Sequence, residues 1–315
     1  MLVRIVKDWM YPDIFRQTPG RTCCWDGIEF TDKNVLNCDL IVVLNAPNRH
    51  LIVNTAKGGK WLFSQESPID YYRWQTKSFK YFDKVFSFWD EKISKNIIHA
   101  QTALPWHIGK NFDELLTLPH RIEEKMNKVS WVTSSASEKP GHKLRMSFKD
   151  FLKNKAFEFD LYGRGFTPID DKFDAIYPYK YSIAIENYSC DDYWTEKIAD
   201  CFLSWTIPIY YGAKNITKYF PEKSMILIDP NDPKRSLDII NDAILSDIYS
   251  ERLPYLQEAR ELILNKYQFF PYVTQLIRSS DIHFSDKKWS YIPRNIDPRS
   301  SLVNRLKKKI TFLIK

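Results

Sequence analysis

The chain has few cysteines and no arrangement that would let them act as a scaffold. Cys23, Cys24, Cys38, Cys190 and Cys201 form no Cys-x-x-Cys pair and no Cys/His cluster, which argues against structural zinc. An odd count of 5 suits free thiols in a reducing compartment better than a disulfide framework. No apolar run approaches the length needed to span a bilayer. The opening MLVRIVKDWMYPD lacks the apolar core of a secretory signal, so a cytoplasmic location is expected. There is no internal repeat, no Gly/Ser-rich or Pro-rich linker, and no RNP, helix-turn-helix or finger pattern; nucleic acid is not an expected partner.

What is present is a chain of 315 residues, 44% hydrophobic and 15% aromatic, long enough for two domains with cores of their own. In the first half, Leu2–Val6, Asp39–Leu44, Leu51–Asn54, Trp61–Gln65 and Lys84–Phe88 read as short apolar strands separated by polar and helical patterns. That alternation predicts a parallel sheet of βαβ units. Leu104 to Lys128 reads as a connection, with Trp106-His107 as packing residues within it. The second half begins with a strand at Val129–Thr133, a helix from about Ser147 to Asn154 and a strand at Glu158–Gly163. Met225–Asp229 and helices near Leu237–Leu245 and Arg252–Tyr267 follow, with a break at Phe269-Phe270-Pro271-Tyr272. The expected division is residues 1–118, 119–275 and a basic tail, 276–315.

The formal net charge of +7 is concentrated in that tail, where Lys287, Lys288, Arg294, Arg299, Arg305, Lys307, Lys308, Lys309 and Lys315 accompany Leu302, Val303, Leu306, Ile310, Phe312, Leu313 and Ile314. Such a basic amphipathic segment suits either an anionic membrane surface or packing back on the domain.

The most informative stretch is Tyr179 to Gly212, YKYSIAIENYSCDDYWTEKIADCFLSWTIPIYYG. Ser182 to Ile185 reads as a buried strand, and Asp191 or Asp192 is the candidate cap of the helix that follows. Ile198, Ala199, Phe202 and Leu203 recur at helical spacing, with Glu196 and Lys197 in the first turn. A lysine beside free helix N–H groups makes a pocket for an anion such as phosphate; a plain surface Glu–Lys pair is the alternative.

In order and spacing this stretch resembles the donor-binding signature of the α-1,3/1,4-fucosyltransferases, glycosyltransferase family 10. Tyr179, Lys180, Glu186, Asn187, Tyr193, Thr195, Glu196, Lys197, Pro208 and Gly212 fall on the family pattern, with Tyr181 in place of Phe and Tyr188 in place of Ser. Trp61 to Pro68, WLFSQESP, is similar to the acceptor-side segment. Trp131-Val132-Thr133-Ser134-Ser135, with Arg145 beyond it, is similar to the start of the donor domain, although Ser and Ala136 stand where the family has Asn and Cys.

The resemblance implies an α/β, GT-B fold, two Rossmann-like domains facing across a cleft. It implies an inverting transfer of L-fucose from GDP-fucose to an oligosaccharide or glycolipid hydroxyl, as in lipopolysaccharide O-antigens. Soluble bacterial-type members, rather than membrane-anchored ones, are the nearer likeness, with peripheral association at the inner membrane face as a further expectation. The 10 Trp and 18 Tyr supply ring faces for sugars, beside their ordinary use in cores. Asp170-Asp171, Asp191-Asp192 and Asp229 to Asp232 lack the strand-end Asp-x-Asp form that holds a metal and read as turns or caps. No metal or other cofactor is therefore expected, with Arg145 and Lys197 neutralising the diphosphate. Glu66, ending an apolar strand before Ser-Pro, is the candidate base. Lys180, Glu186, Asn187, Tyr193 and Glu196 complete the expected donor site. Another nucleotide sugar in the same fold, or a non-catalytic glycan- or membrane-binding descendant, are the alternative readings.

Overall fold

The computed structural model describes residues 1–300. By compactness the chain divides into two units: Met1–Tyr11, Cys23–Thr102 and the chain from Leu276 form one, and Pro12–Thr22 with Ala103–Gln275 form the other.

The first unit contains β1 (Leu2–Lys7), β2 (Cys24–Trp25), β3 (Ile28–Thr31), β4 (Leu40–Leu44), β5 (Leu51–Lys57), β6 (Lys60–Phe63), β7 (Lys84–Ser87) and β8 (Ile97–His99). Its main sheet has the order β2-β3-β1-β4-β6-β7-β8 and is parallel except for the β2–β3 pair. The central β4 reads Leu-Ile-Val-Val-Leu and every side chain in it is buried, as a parallel strand covered on both faces requires. Glu66 follows the C-terminal end of β6 after Ser64 and Gln65.

In the second unit α1 (Phe112–Thr117), β9 (Met126–Val132), α2 (Pro140–Asn154), β10 (Asp160–Tyr162), α3 (Lys172–Ile176), β11 (Tyr179–Ile185), α4 (Glu196–Leu203), β12 (Ile207–Tyr211) and β13 (Ile226–Leu227) precede α5 (Pro233–Leu245), α6 (Tyr249–Leu262) and α7 (Phe269–Arg278). The sheet order is β10-β9-β11-β12-β13, parallel throughout. Pro208 is tolerated in β12 for a local reason. The Tyr211 carbonyl accepts from Glu186 N–H on the β11 side and the Tyr210 carbonyl accepts from Ile228 N–H on the other. Pro208 therefore faces the β13 side, where pairing begins only at Ile209.

Several elements differ from the sequence expectation. α2 starts at Pro140, seven residues before Ser147, because proline at the first helical position loses no intrahelical bond. The same rule turns the expected break at Phe269 into the start of α7, with Pro271 in its first turn. His283–Ile292, expected as part of a tail, forms β14, antiparallel to β5, with most of its side chains exposed. The expected membrane-facing residues Leu302 to Ile314 lie outside the described residues. Among the described residues no helix is long and apolar enough to cross a membrane.

Candidate functional site

β11 ends at Ile185, and the next residue, Glu186, turns its carboxylate into the protein, 1% exposed. There it accepts hydrogen bonds from Thr195 N–H at 2.8 Å, from the Thr195 hydroxyl at 2.8 Å and from Lys197 Nζ at 2.9 Å. Thr195 is the N-cap of α4, accepting from Lys197 N–H at 3.4 Å, so the cap is neither Asp191 nor Asp192. Asp192 instead fixes the loop: at φ +63° and 5% exposed, it accepts from Tyr219 Oη at 2.5 Å, Asn215 Nδ2 at 3.0 Å and Lys218 Nζ at 3.2 Å. An aspartate tolerates this left-handed conformation better than most residues, and the three donors offset its strain. Gly212 after β12 leaves room for the carboxylate, since a Cβ there would lie 2.5 Å from Glu186 Cγ and 2.3 Å from Tyr210 Oη.

Lys197 lies between two carboxylates, with Glu196 Oε1 at 3.4 Å on its far side. Glu196 also faces Lys172 at 3.8 Å and His107 Nδ1 at 3.9 Å. Asp200, one turn along α4 and fully buried, accepts from Lys172 Nζ at 3.0 Å and from the backbone N–H groups of His107 at 2.7 Å and Ile108 at 3.2 Å. Burial pushes the Glu186 pKa up, with Lys197 and Thr195 opposing it. Burial would raise Glu196 as well, but Lys197, His107 and Lys172 hold it well below the usual carboxylate range. Burial disfavours the Lys197 ammonium, yet Glu186 and Glu196 more than offset this and raise its pKa. His107 is pushed down by burial despite Glu196.

Arg145 is different. It comes from α2, is 5% exposed, and its Nε is buried without a hydrogen-bond partner among the described residues. It lines a small cavity with Lys172, Lys197, Thr133 and Asp200, whose free space is about 20 Å³ for the centre of a water molecule. Burial lowers its pKa, and the negative charge of Glu186, Glu196 and Tyr193 only partly opposes this. Asn187 Oδ1 is likewise buried with no partner among the described residues. A guanidinium N–H kept from water without an acceptor is unfavourable, and the arrangement offers a ligand anion a vacant donor at Arg145 Nε.

Of the expected donor residues, Arg145, Glu186, Asn187, Tyr193, Glu196 and Lys197 belong to this C-terminal end of the second sheet. Lys180 does not. It lies near the start of β11, its Nζ donating to Asp247 at 2.7 and 2.8 Å, and six residues of strand, about 20 Å, separate it from Glu186. Glu66 belongs to the first unit, half-buried, where the Tyr72 hydroxyl hydrogen-bonds it and burial together with that carboxylate raises the phenol's pKa. Lys172 and Asp200 were not anticipated. Asp200 was visible as the i+4 partner of Glu196 on one helix face, whereas nothing local marks Lys172.

Thr195→Val is expected to lower the stability of this unit by about 1–2 kcal/mol, since it removes a cap and a donor to a buried carboxylate. A thermal melt reads this out; an unchanged melting temperature would show that the hydroxyl is dispensable.

The pattern of glycosyltransferase family 10 (fucosyltransferase) C-term matches residues 122–240, the segment that carries these side chains. GDP-fucose protein O-fucosyltransferase 3 of Danio rerio is 39% identical over 94 residues, 29% of this chain and 20% of that protein. The alpha-(1,3)-fucosyltransferase of Helicobacter pylori is 38% identical over 58 residues, 18% of this chain and 12% of that protein. The matched stretch thus spans only about a fifth or less of these curated relatives. In structure, a solved alpha1,3-fucosyltransferase superposes with a TM-score of 0.51 at 15% identity, covering 90% of each chain. An alpha-glucosyltransferase solved with UDP-glucose and DNA gives 0.54 at 10% identity, covering 88% of this chain and 98% of that one. The fold is GT-B, as the sequence resemblance implied. The signature residues gathered at the end of the second sheet lie within the segment, residues 122–240, that matches the pattern of glycosyltransferase family 10.

Proposed function

We propose that this chain is an inverting fucosyltransferase that moves L-fucose from GDP-fucose to a hydroxyl of a glycan acceptor without a metal ion. The observation that carries the reading is Arg145, a buried guanidinium with an unpartnered Nε beside Lys197, at the C-terminal end of a parallel sheet. Open α/β sheets bind ligands at that end, and fixed cations there stabilise a departing nucleoside diphosphate. Arg145 and Lys197 bind the diphosphate; Glu196, Asn187 and Tyr193 meet ribose and sugar hydroxyls; Glu186 holds Lys197 in position. In the reaction the acceptor oxygen bonds to C1 of fucose as the bond from C1 to the phosphate oxygen breaks. The hydroxyl proton passes to Glu66 and the electron pair leaves with GDP. One displacement on the face opposite the leaving group inverts the configuration at C1.

Relatives named for transfer to protein favour a second acceptor class, a Ser or Thr hydroxyl of a polypeptide. An acceptor panel of oligosaccharides, lipopolysaccharide cores and peptides distinguishes the two. For the donor, melting temperature with GDP, UDP and CMP in EDTA is the test. At a ligand concentration 100-fold above Kd, GDP is expected to stabilise the chain by about 2.7 kcal/mol, with UDP and CMP well below it. No shift with any of the three nucleotides, or a shift that requires added metal, would sink the proposal.

A further inference from the structure

We propose that His142 is a further donor-site residue, a neutral imidazole that hydrogen-bonds the nucleotide's diphosphate and takes up a proton when the nucleotide binds. The inference rests on the donor site proposed above and adds to it a residue outside the signature.

His142 stands in the first turn of α2, one turn before Arg145 and on the same face. The helix begins at Pro140, which has no N–H, and Lys139 supplies no side-chain cap. Lys143 N–H is the first bonded back, to the Lys139 carbonyl at 3.0 Å, so the N–H groups of Gly141 and His142 lie ahead of the helical ladder. This turn is pressed against the loop that follows β11: a Cβ on Gly141 would fall 1.8 Å from the Asn187 carbonyl oxygen. His142 Nδ1 is itself buried with no partner among the described residues, in common with Arg145 Nε and Asn187 Oδ1. Three unpartnered polar atoms thus belong to one helix face and the loop packed against it. A histidine serving only the fold would engage that nitrogen with a carbonyl or carboxylate.

The charges facing the ring explain its state. Arg145 and Lys139 approach from α2 and its start, Lys197 from α4, and the exposed Glu138 is the acidic group among them. Burial, then Arg145 and Lys139, push the imidazole down to about 4, so it is neutral in the free protein near pH 7. A bound diphosphate reverses that balance, since it adds negative charge where cations prevailed. The proton sign follows: the bound state holds the proton more tightly than the free state, so GDP affinity rises as pH falls. The effect spans the interval from about 4 upward to the bound value, near or above the ordinary ~6.5 of histidine.

The experiment is calorimetric titration of the full chain with GDP between pH 5.5 and 8, in buffers of differing ionisation enthalpy. Wild type is compared with His142→Ala and His142→Gln, so that titration of GDP's own terminal phosphate cancels. His142→Ala is expected to bind GDP about 10-fold more weakly at pH 5.5 and to lose the extra proton uptake. His142→Gln keeps a neutral donor, so it should match wild type at pH 8 and show no extra uptake. Guanosine, which has no phosphate, should bind all three alike, and the melting temperatures of the free proteins should agree. GDP binding with the same affinity and proton uptake in His142→Ala overturns the inference alone, as does an equal loss with guanosine. A wild-type chain that does not bind GDP overturns the donor reading, and this inference with it.

Discussion

Glu66→Gln is expected to lower turnover with GDP-fucose by about 10²–10⁴-fold while GDP affinity stays within about twofold of wild type. The substitution keeps the side chain's size and removes only its capacity to accept a proton. Glu66 is suited to that role by its surroundings. It is half-buried after the C-terminal end of β6, and the Tyr72 hydroxyl donates to it. That hydrogen bond orients the carboxylate, which has further lone pairs with which to accept. The same bond predicts that the variant keeps its fold: an amide can still accept from Tyr72, so the loss is confined to the chemical step. Single-turnover rates with saturating donor and an equilibrium GDP titration separate the two quantities. Near-normal turnover would remove Glu66 from the reaction; a parallel loss of GDP affinity would make it a donor-binding residue.

Arg145→Met is expected to weaken GDP binding by about 10–150-fold, the worth of one charge-assisted hydrogen bond. The same change should raise the melting temperature of the nucleotide-free protein. The second expectation is the sharper of the two. A buried guanidinium with an unpartnered Nε contributes a desolvation cost and no hydrogen bond at that atom, and a methionine of similar length removes the cost while filling the space. Roughly 1–3 kcal/mol of added stability follows, about 2–4 °C per kcal/mol for a unit of this size. Stability given up for a ligand is the usual condition of a binding site. Glu186 and Lys197 make the contrast, because each is hydrogen-bonded in the free protein and removing either leaves its partner buried and unpaired. A fall in melting temperature on Arg145→Met, with GDP affinity intact, would mean that the arginine serves the fold.

The candidate site was legible where its residues are neighbours in sequence. Glu186, Asn187, Tyr193, Glu196 and Lys197 lie within one strand–loop–helix unit, and the apolar spacing that made β11 and α4 readable also set those side chains at the strand's end. Lys180 shares the signature but not the place, because six residues of strand carry it to the opposite, N-terminal end of β11. The cap was misread because Asp191, Asp192 and Thr195 are all good N-caps by type. Only the bonds of Asp192 to Asn215, Lys218 and Tyr219 withdraw it from that role.

By itself, then, the sequence indicated most strands of the two largely parallel sheets and the residue types gathered at the end of β11, although β5, read as part of the first parallel sheet, pairs antiparallel with β14 instead. Those features are written in local periodicity and in side chains a few residues apart. Tertiary structure alone decided that Lys172, Asp200 and His107 close a charge network around Glu196, and that His283–Ile292 returns as a strand on β5. It also decided that Arg145 Nε is left without a partner among the described residues. These depend on which groups meet across long stretches of chain and on which of them lose water in doing so. Burial and pairing are properties of the packed molecule, and no spacing along the chain encodes them.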